Sequence, residues 1–392
     1  MLIDQINNLV LFQYICGLII WFFLFFLLNQ YLLSVSEIDN RKKRNILGYY
    51  ILLSIIAIIR LYTNILPFTV DTKTYLSVAE SISQRNEFFY FGAFLYSSFI
   101  YLIKAVTFNN HYAILFLNNF IFIIALVDLF NIVPNDKKKS IWLWSLFLIF
   151  YPSIYWFIPN VLREAVFFFC IVRVLKHSLH IINTDRFMYN LSLLILFSIL
   201  CIALRPQVLP MVYTWVAFIF FKRNFLSFIL IILFGFALLS SDFITSEYLT
   251  KVSFEYLEAK KTEGATNVPT IAFQENIIPT NTSELFMLTP FLIFRFLFAP
   301  FPWELSNLKY LFAFLDSSLM LLLFIILFWV IVRGYVYSWD IIIFSFLFII
   351  VLGIFEIAFT GAVRHRMPYV LIISTLLLNF PTVAFKKEKV LN

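Results

Sequence analysis

Long apolar runs separated by short polar breaks fill almost the whole chain. Crossing a hydrocarbon core takes about 20 consecutive apolar residues in a helix. Runs near that length fall at about 9–33, 46–66, 111–133, 141–158, 161–182, 189–204, 207–221, 225–240, 310–333, 341–359 and 367–385. In lipid the backbone must satisfy its own hydrogen bonds, so these runs predict helices. The predicted fold class is all-α: a polytopic helical membrane protein with about 11 transmembrane helices. The first run, Leu9 to Leu33, is too long for a cleavable leader and lacks the basic residues that would precede one.

Charge in the breaks sets the orientation. Arg41-Lys42-Lys43-Arg44, Lys137-Lys138-Lys139, Lys222-Arg223 and Lys386-Lys387 all belong inside under the positive-inside rule. If the apolar stretch Phe91 to Phe108 also crossed, the Lys137–Lys139 cluster would fall outside. That stretch is short and interrupted by Lys104, so it predicts an amphipathic helix lying on the outer face. The amino terminus is then outside and the carboxy terminus inside. Two outer-face segments remain, 67–110 and 241–308, within a single integral membrane domain spanning 1–392.

Composition strengthens this picture without redirecting it. Hydrophobic residues make up 62% of the 392 and aromatic residues 20%, while only 13% are charged. The charged share is about half that of a water-soluble domain. The net charge of +7 follows from the basic inner loops, so it does not point to nucleic acid. Cys16, Cys170 and Cys201 lie inside apolar runs and read as small hydrophobes, with no disulfide framework. Four histidines without ligand spacing give no metal site, and no cofactor motif occurs.

The candidate chemistry lies in charges that the topology does not explain, because a charge in or beside a span is costly in lipid. Arg60, Arg163, Glu164, Arg205, Arg295, Arg364 and Arg366 all fall toward the outer face, on the same side as Asp71. Arginine presents a permanently charged fork of donors matched to phosphate oxygens. Arg163, Arg205, Arg364 and Arg366 are the candidate phosphate ligands, and Asp71 is the candidate acceptor of a hydroxyl proton. Tyr75, Glu164, Arg295, Trp303 and His365 are supporting candidates. Plainer roles stand beside these. Asp71 can cap the helix that follows it, and Arg60 and Arg295 can anchor to headgroups. Arg163 and Glu164 can pair internally, His365 can be a hydrogen-bonded surface histidine, and Trp303 can belong to an interfacial aromatic belt.

Four stretches carry a family resemblance. They are Asp71-x-x-x-Tyr75 with the surface helix after it, Tyr151-Pro152 with Arg163-Glu164, Leu204-Arg205-Pro206, and Ala299-Pro-Phe-Pro-Trp-Glu304 with Gly361-Ala-Val-Arg-His-Arg-Met-Pro368. In this order they resemble the bacterial GT-C-type membrane glycosyltransferases and O-antigen polymerases (Wzy-like proteins). The resemblance implies a GT-C-like architecture in the inner membrane, with Asp71 as base and Arg163, Arg205, Arg364 and Arg366 near a carrier phosphate. It implies joining of undecaprenyl-diphosphate-linked glycans, one as donor and one as acceptor, at the periplasmic face, in surface polysaccharide (lipopolysaccharide O-antigen) biosynthesis. A chain-length regulator is an implied partner. Tyr248, Phe254, Tyr256 and Trp303 would offer stacking surfaces to sugars. A transferase of single sugars from a polyprenyl monophosphate is the nearest alternative, and a lipid-linked-sugar flippase is a more distant one. The paired acidic motif of protein-mannosylating relatives is missing, since Thr72 follows Asp71.

Overall fold

A computed structural model describes residues 2–35, 40–62, 70–83, 91–107, 109–132, 147–183, 186–223, 282–305, 308–333, 339–356 and 359–378. The principal elements are α1 (Leu2–Ser34), α2 (Asn40–Tyr62), α3 (Val70–Ser83), α4 (Phe91–Val106), α5 (His111–Ile132), α6 (Pro152–Phe157) and α7 (Glu164–Asn183). After them come α8 (Phe187–Leu204), α9 (Leu209–Arg223), α10 (Thr282–Phe298), α11 (Leu308–Val332), α12 (Trp339–Phe355) and α13 (Phe359–Leu378). Single 3-10 turns lie at Pro206–Val208 and Pro302–Glu304. The described residues contain no strand.

Among the described residues six helices are long and apolar enough to cross a membrane: Phe12–Ser34, Lys42–Leu61, His111–Ile132, Glu164–Ile182, Phe187–Leu204 and Leu311–Val332. Leu95–Val106, Met287–Phe298 and Trp339–Ile354 are apolar but shorter. The chain is therefore helical and of the membrane type. Two of the spans expected from the sequence take a different form, and a third is not described. The run 225–240 lies outside the described residues. The run 141–158 does not continue as one helix where it is described, because the helical stretch at 147–150 stops at Tyr151. Pro152 follows, and the residue before a proline is pushed out of the α region. The run 207–221 forms only the 15-residue α9 behind a 3-10 turn.

The chain divides into two compact units, Met1–Pro134 with Ile154–Val172, and Asn135–Ser153 with Arg173–Asn392. In the first, α1 and α2 pack on α5, and α4 packs on both α3 and α5. Helix α1 buries the stripe Leu24, Leu28 and Leu32 at four-residue spacing. Its other faces carry exposed Phe22, Phe23 and Phe26. A helix apolar all round with one buried stripe suits a lipid solvent. Helix α5 is the opposite case. It is buried over most of its length and carries Asn118, Asn119 and Asp128 inside.

In the second unit α10 packs on α11 and α12, and α13 packs on α11 and α12. Gly353 sets the approach of α12 to α10, since a Cβ there would stand 3.3 Å from the Ile293 Cα. Trp215 of α9 is fully buried, lies edge-on to Phe344 at 5.0 Å and donates its indole N–H to Ser178 at 2.9 Å.

The centre of this unit is Arg366. The last carbonyls of a helix have no partner within it. At the end of α10 the Nη1 of Arg366 donates to Leu297 O at 2.8 Å and Phe296 O at 3.1 Å, and approaches Ala299 O at 3.3 Å. Its Nη2 donates to Ser317 Oγ at 2.8 Å, and its Nε to Asp316 Oδ2 at 2.6 Å. The other Asp316 oxygen accepts from Ser153. Arg366 and Asp316 are both fully buried, so each makes the burial of the other's charge tolerable.

Arg366→Leu should lower stability by about 3–5 kcal/mol, the cost of stranding a buried charge. Removing Asp316 as well, in Arg366→Leu with Asp316→Leu, should recover part of that loss. Unfolding midpoints of the purified protein in detergent check both, and an unchanged midpoint for Arg366→Leu would refute the tie.

Candidate functional site: two buried polar clusters

The first cluster lies in the first unit and begins at α3. Asp71 stands in the first turn of this helix, and its side chain lies outside the described residues. The next residue, Thr72, is buried and donates its hydroxyl to Asn160 Oδ1 at 2.9 Å. That oxygen also accepts the Val161 N–H at 2.8 Å, which fixes the turn leading to Arg163. Asn118 of α5 braces the same turn, donating from Nδ2 to Asn160 O at 2.7 Å and to the Tyr96 hydroxyl at 2.9 Å. Burial pushes the Tyr96 hydroxyl well above its ordinary pKa, so it remains protonated. Tyr96 packs edge-on against Tyr75 at 5.1 Å, and the Arg163 guanidinium stands 6.0 Å from the Tyr75 ring centre. Glu164 is buried in the first turn of α7, where the helix dipole favours an anion.

This geometry ties the helix that carries Asp71 to the segment that presents Arg163 and Glu164. The sequence singles out Tyr75, Arg163 and Glu164 but not Asn118 or Thr72, whose roles follow from packing between distant segments. An asparagine inside an apolar helix is the available signal, since a buried amide needs partners.

The second cluster lies in the second unit. Pro206 forces Arg205 into extended backbone, at φ −144° and ψ 92°, between α8 and the 3-10 turn. The buried Arg205 side chain meets the Nε2 of His365 through its Nη1. On the far side of the ring, His365 Nδ1 meets the Glu356 carboxylate. Because Glu356 accepts and Arg205 only donates, His365 is the Nδ1–H tautomer, with Nε2 accepting. Half-buried Arg364 adds positive charge near this histidine. Glu356 is the residue that sequence reasoning misses. It sits at the end of an apolar run, where its charge reads as a helix end.

Other expectations from the sequence are met differently. Arg364 to Pro368 was expected before the last span, yet it lies within α13, which begins at Phe359 and holds Pro368 inside it. Arg366 was expected at a phosphate, but all three of its guanidinium nitrogens are engaged by the protein. Arg295 pairs with Glu304 at 2.7 Å, and the same carboxylate accepts the Phe301 N–H at 2.8 Å, so this pair fastens the 301–304 turn to α10. Trp303 is 80% exposed and stacked on Phe301 at 5.0 Å. Arg60 is turned inward and donates to Trp156 O at 3.0 Å, capping α6 rather than reaching for headgroups. Tyr248, Phe254 and Tyr256 lie outside the described residues. Among the described residues no group of acidic, histidine or cysteine side chains is placed to hold a metal ion.

The fold and these clusters define a helical membrane protein with buried polar groups held in fixed orientation. Comparison of the chain with protein-family models, with curated proteins and with solved structures finds no match.

Thr72→Val keeps the side-chain shape and removes the hydroxyl, leaving one lone pair of Asn160 without its donor. The expected loss is about 1–2 kcal/mol, read as a fall in the unfolding midpoint of the purified protein. An unaltered midpoint would show that α3 is not fastened through this bond.

Proposed function

We propose that the protein is a membrane glycosyltransferase that joins polyprenyl-diphosphate-linked oligosaccharide repeat units at the outer face of a bacterial inner membrane. In this reading the chain crosses the membrane about eleven times, with its amino terminus periplasmic and its carboxy terminus cytoplasmic. The observation that carries it is the bond between Thr72 and Asn160, which sets the helix that opens at Asp71 beside the turn bearing Arg163. The backbone at Asp71 and the turn bearing Arg163 come from distant parts of the sequence, and this bond supports a reading in which they serve one acid–base transfer against a phosphate leaving group.

The chemistry follows from these groups. Asp71 takes the proton from the acceptor hydroxyl as its oxygen bonds to the anomeric carbon of the donor. The bond from that carbon to the carrier diphosphate breaks, and its electron pair leaves with the diphosphate. Arg163 offsets the charge that develops there, and Arg205 and Arg364, in the second unit, are the proposed ligands of a carrier phosphate. Exposed Trp303, stacked on Phe301, offers an aromatic face to sugar. Arg366, Arg295 and Arg60 take structural parts.

Asp71→Asn should abolish long polysaccharide chains without lowering the amount of protein, and Arg205→Lys should shorten them strongly, because a point charge does not replace a bidentate fork. Electrophoresis of surface polysaccharide from a complemented deletion strain reads both. Chains of full length with Asp71→Asn would end the role of Asp71. A deletion strain that keeps full chains but lacks a single sugar would replace the polymerase with a single-sugar transferase.

A further inference from the structure

We infer that Glu356 and Gly361 are positioning residues for Arg205, acting through the tautomer of His365. The inference rests on the proposed role of Arg205 as a ligand of the carrier phosphate. Arg205 sits in extended backbone between two helical segments, with no helix of its own to fix its long side chain. One nitrogen of its guanidinium, Nη1, meets the Nε2 of His365. That contact is attractive only while Nε2 carries no proton, since a guanidinium presents donors alone.

The free imidazole side chain favours the opposite tautomer, with the proton on Nε2. Glu356 reverses that preference. Its carboxylate faces Nδ1, holds the proton there and leaves Nε2 as the acceptor. The arrangement parallels the way a carboxylate behind a metal-binding histidine fixes which nitrogen faces the metal. In this case the positively charged partner is an arginine.

Gly361 makes room for the carboxylate. It stands four residues before His365, hence on the same face of α13. A Cβ on Gly361 would collide with the Glu356 carboxyl group. Glu356 follows directly on α12 and enters beside the first turn of α13, where the positive end of the helix dipole favours an anion. The absence of a side chain at position 361 is therefore tied, through Glu356 and His365, to the orientation of Arg205.

Two measurements on the full-length protein in lipid nanodiscs test this. The first is histidine-selective 15N spectroscopy. The chain has four histidines, and the His365 signal is the one lost in His365→Asn. It should report the Nδ1–H tautomer in the unmodified protein and move to Nε2–H in Glu356→Ala. Nδ1–H persisting in Glu356→Ala overturns the inference whatever the protein does.

The second is calorimetric binding of inorganic diphosphate. Glu356→Ala should weaken it by roughly tenfold or more, in line with other partners that orient a histidine. Glu356→Gln, which keeps an acceptor for the Nδ1 proton, should stay near the unmodified affinity. Gly361→Ala should match Glu356→Ala, and the double variant should be no weaker than either, although alanine by itself favours a helix. Additive losses would show two separate structural effects and overturn the coupling. If Arg205→Lys binds as the unmodified protein does, or the unmodified protein does not bind diphosphate, the phosphate reading falls and takes this role of Glu356 with it. If Arg205→Lys loses binding and Glu356→Ala does not, the inference alone falls.

Discussion

A helix that ends inside an apolar chain leaves backbone carbonyls that neither lipid nor hydrocarbon side chains can satisfy. Several ends are closed in this protein by arginine. Arg60 donates to the final turn of α6, Arg223 donates to Ile181 near the end of α7, and Arg366 spans the end of α10. In each case a cation meets the negative end of the helix dipole, so charge and hydrogen bonding act in the same direction. Arg366 does most, since its one fork joins α10, α11 and α13 around the buried Asp316 carboxylate.

This constraint divides the unexplained charges into two kinds. An arginine that closes a helix end in the interior has its donors aimed at fixed carbonyls, and a ligand would have to displace them at considerable cost. Arg60 and Arg366 are of that kind, and Arg295 is held in a comparable way by Glu304. Arg163 and Arg205 are presented differently. One lies beside an aromatic ring at the start of a helix, and the other meets a histidine whose tautomer is selected from behind. The proposed chemistry is accordingly assigned to Arg163, Arg205 and Arg364.

Legibility from the sequence varied with the kind of interaction. The helices from Phe12, Lys42, His111, Glu164, Phe187 and Leu311 were readable as spans because twenty apolar residues in lipid have one way to satisfy their backbone. Arg205-Pro206 was readable as a break, whereas at Tyr151-Pro152 hydropathy outweighed proline's effect on the preceding residue and one long span was drawn across it. The start of α13 was misplaced because Arg364 and Arg366 look like a loop in any hydropathy scale. In the folded chain Arg366 is neutralised by Asp316, and that pairing crosses fifty positions of sequence.

What the sequence determined by itself was therefore the solvent: composition and run length commit the chain to helices in a membrane. The tertiary structure decided the work of each charge. Hydropathy is a property of one residue and its neighbours in the chain, whereas the state of a buried arginine depends on which distant oxygen it meets. Thr72 with Asn160, Asn118 with Tyr96, and Glu356 with His365 and Arg205 become meaningful only when packing sets them within reach. A polar group removed from water must find its partner wherever the fold provides one.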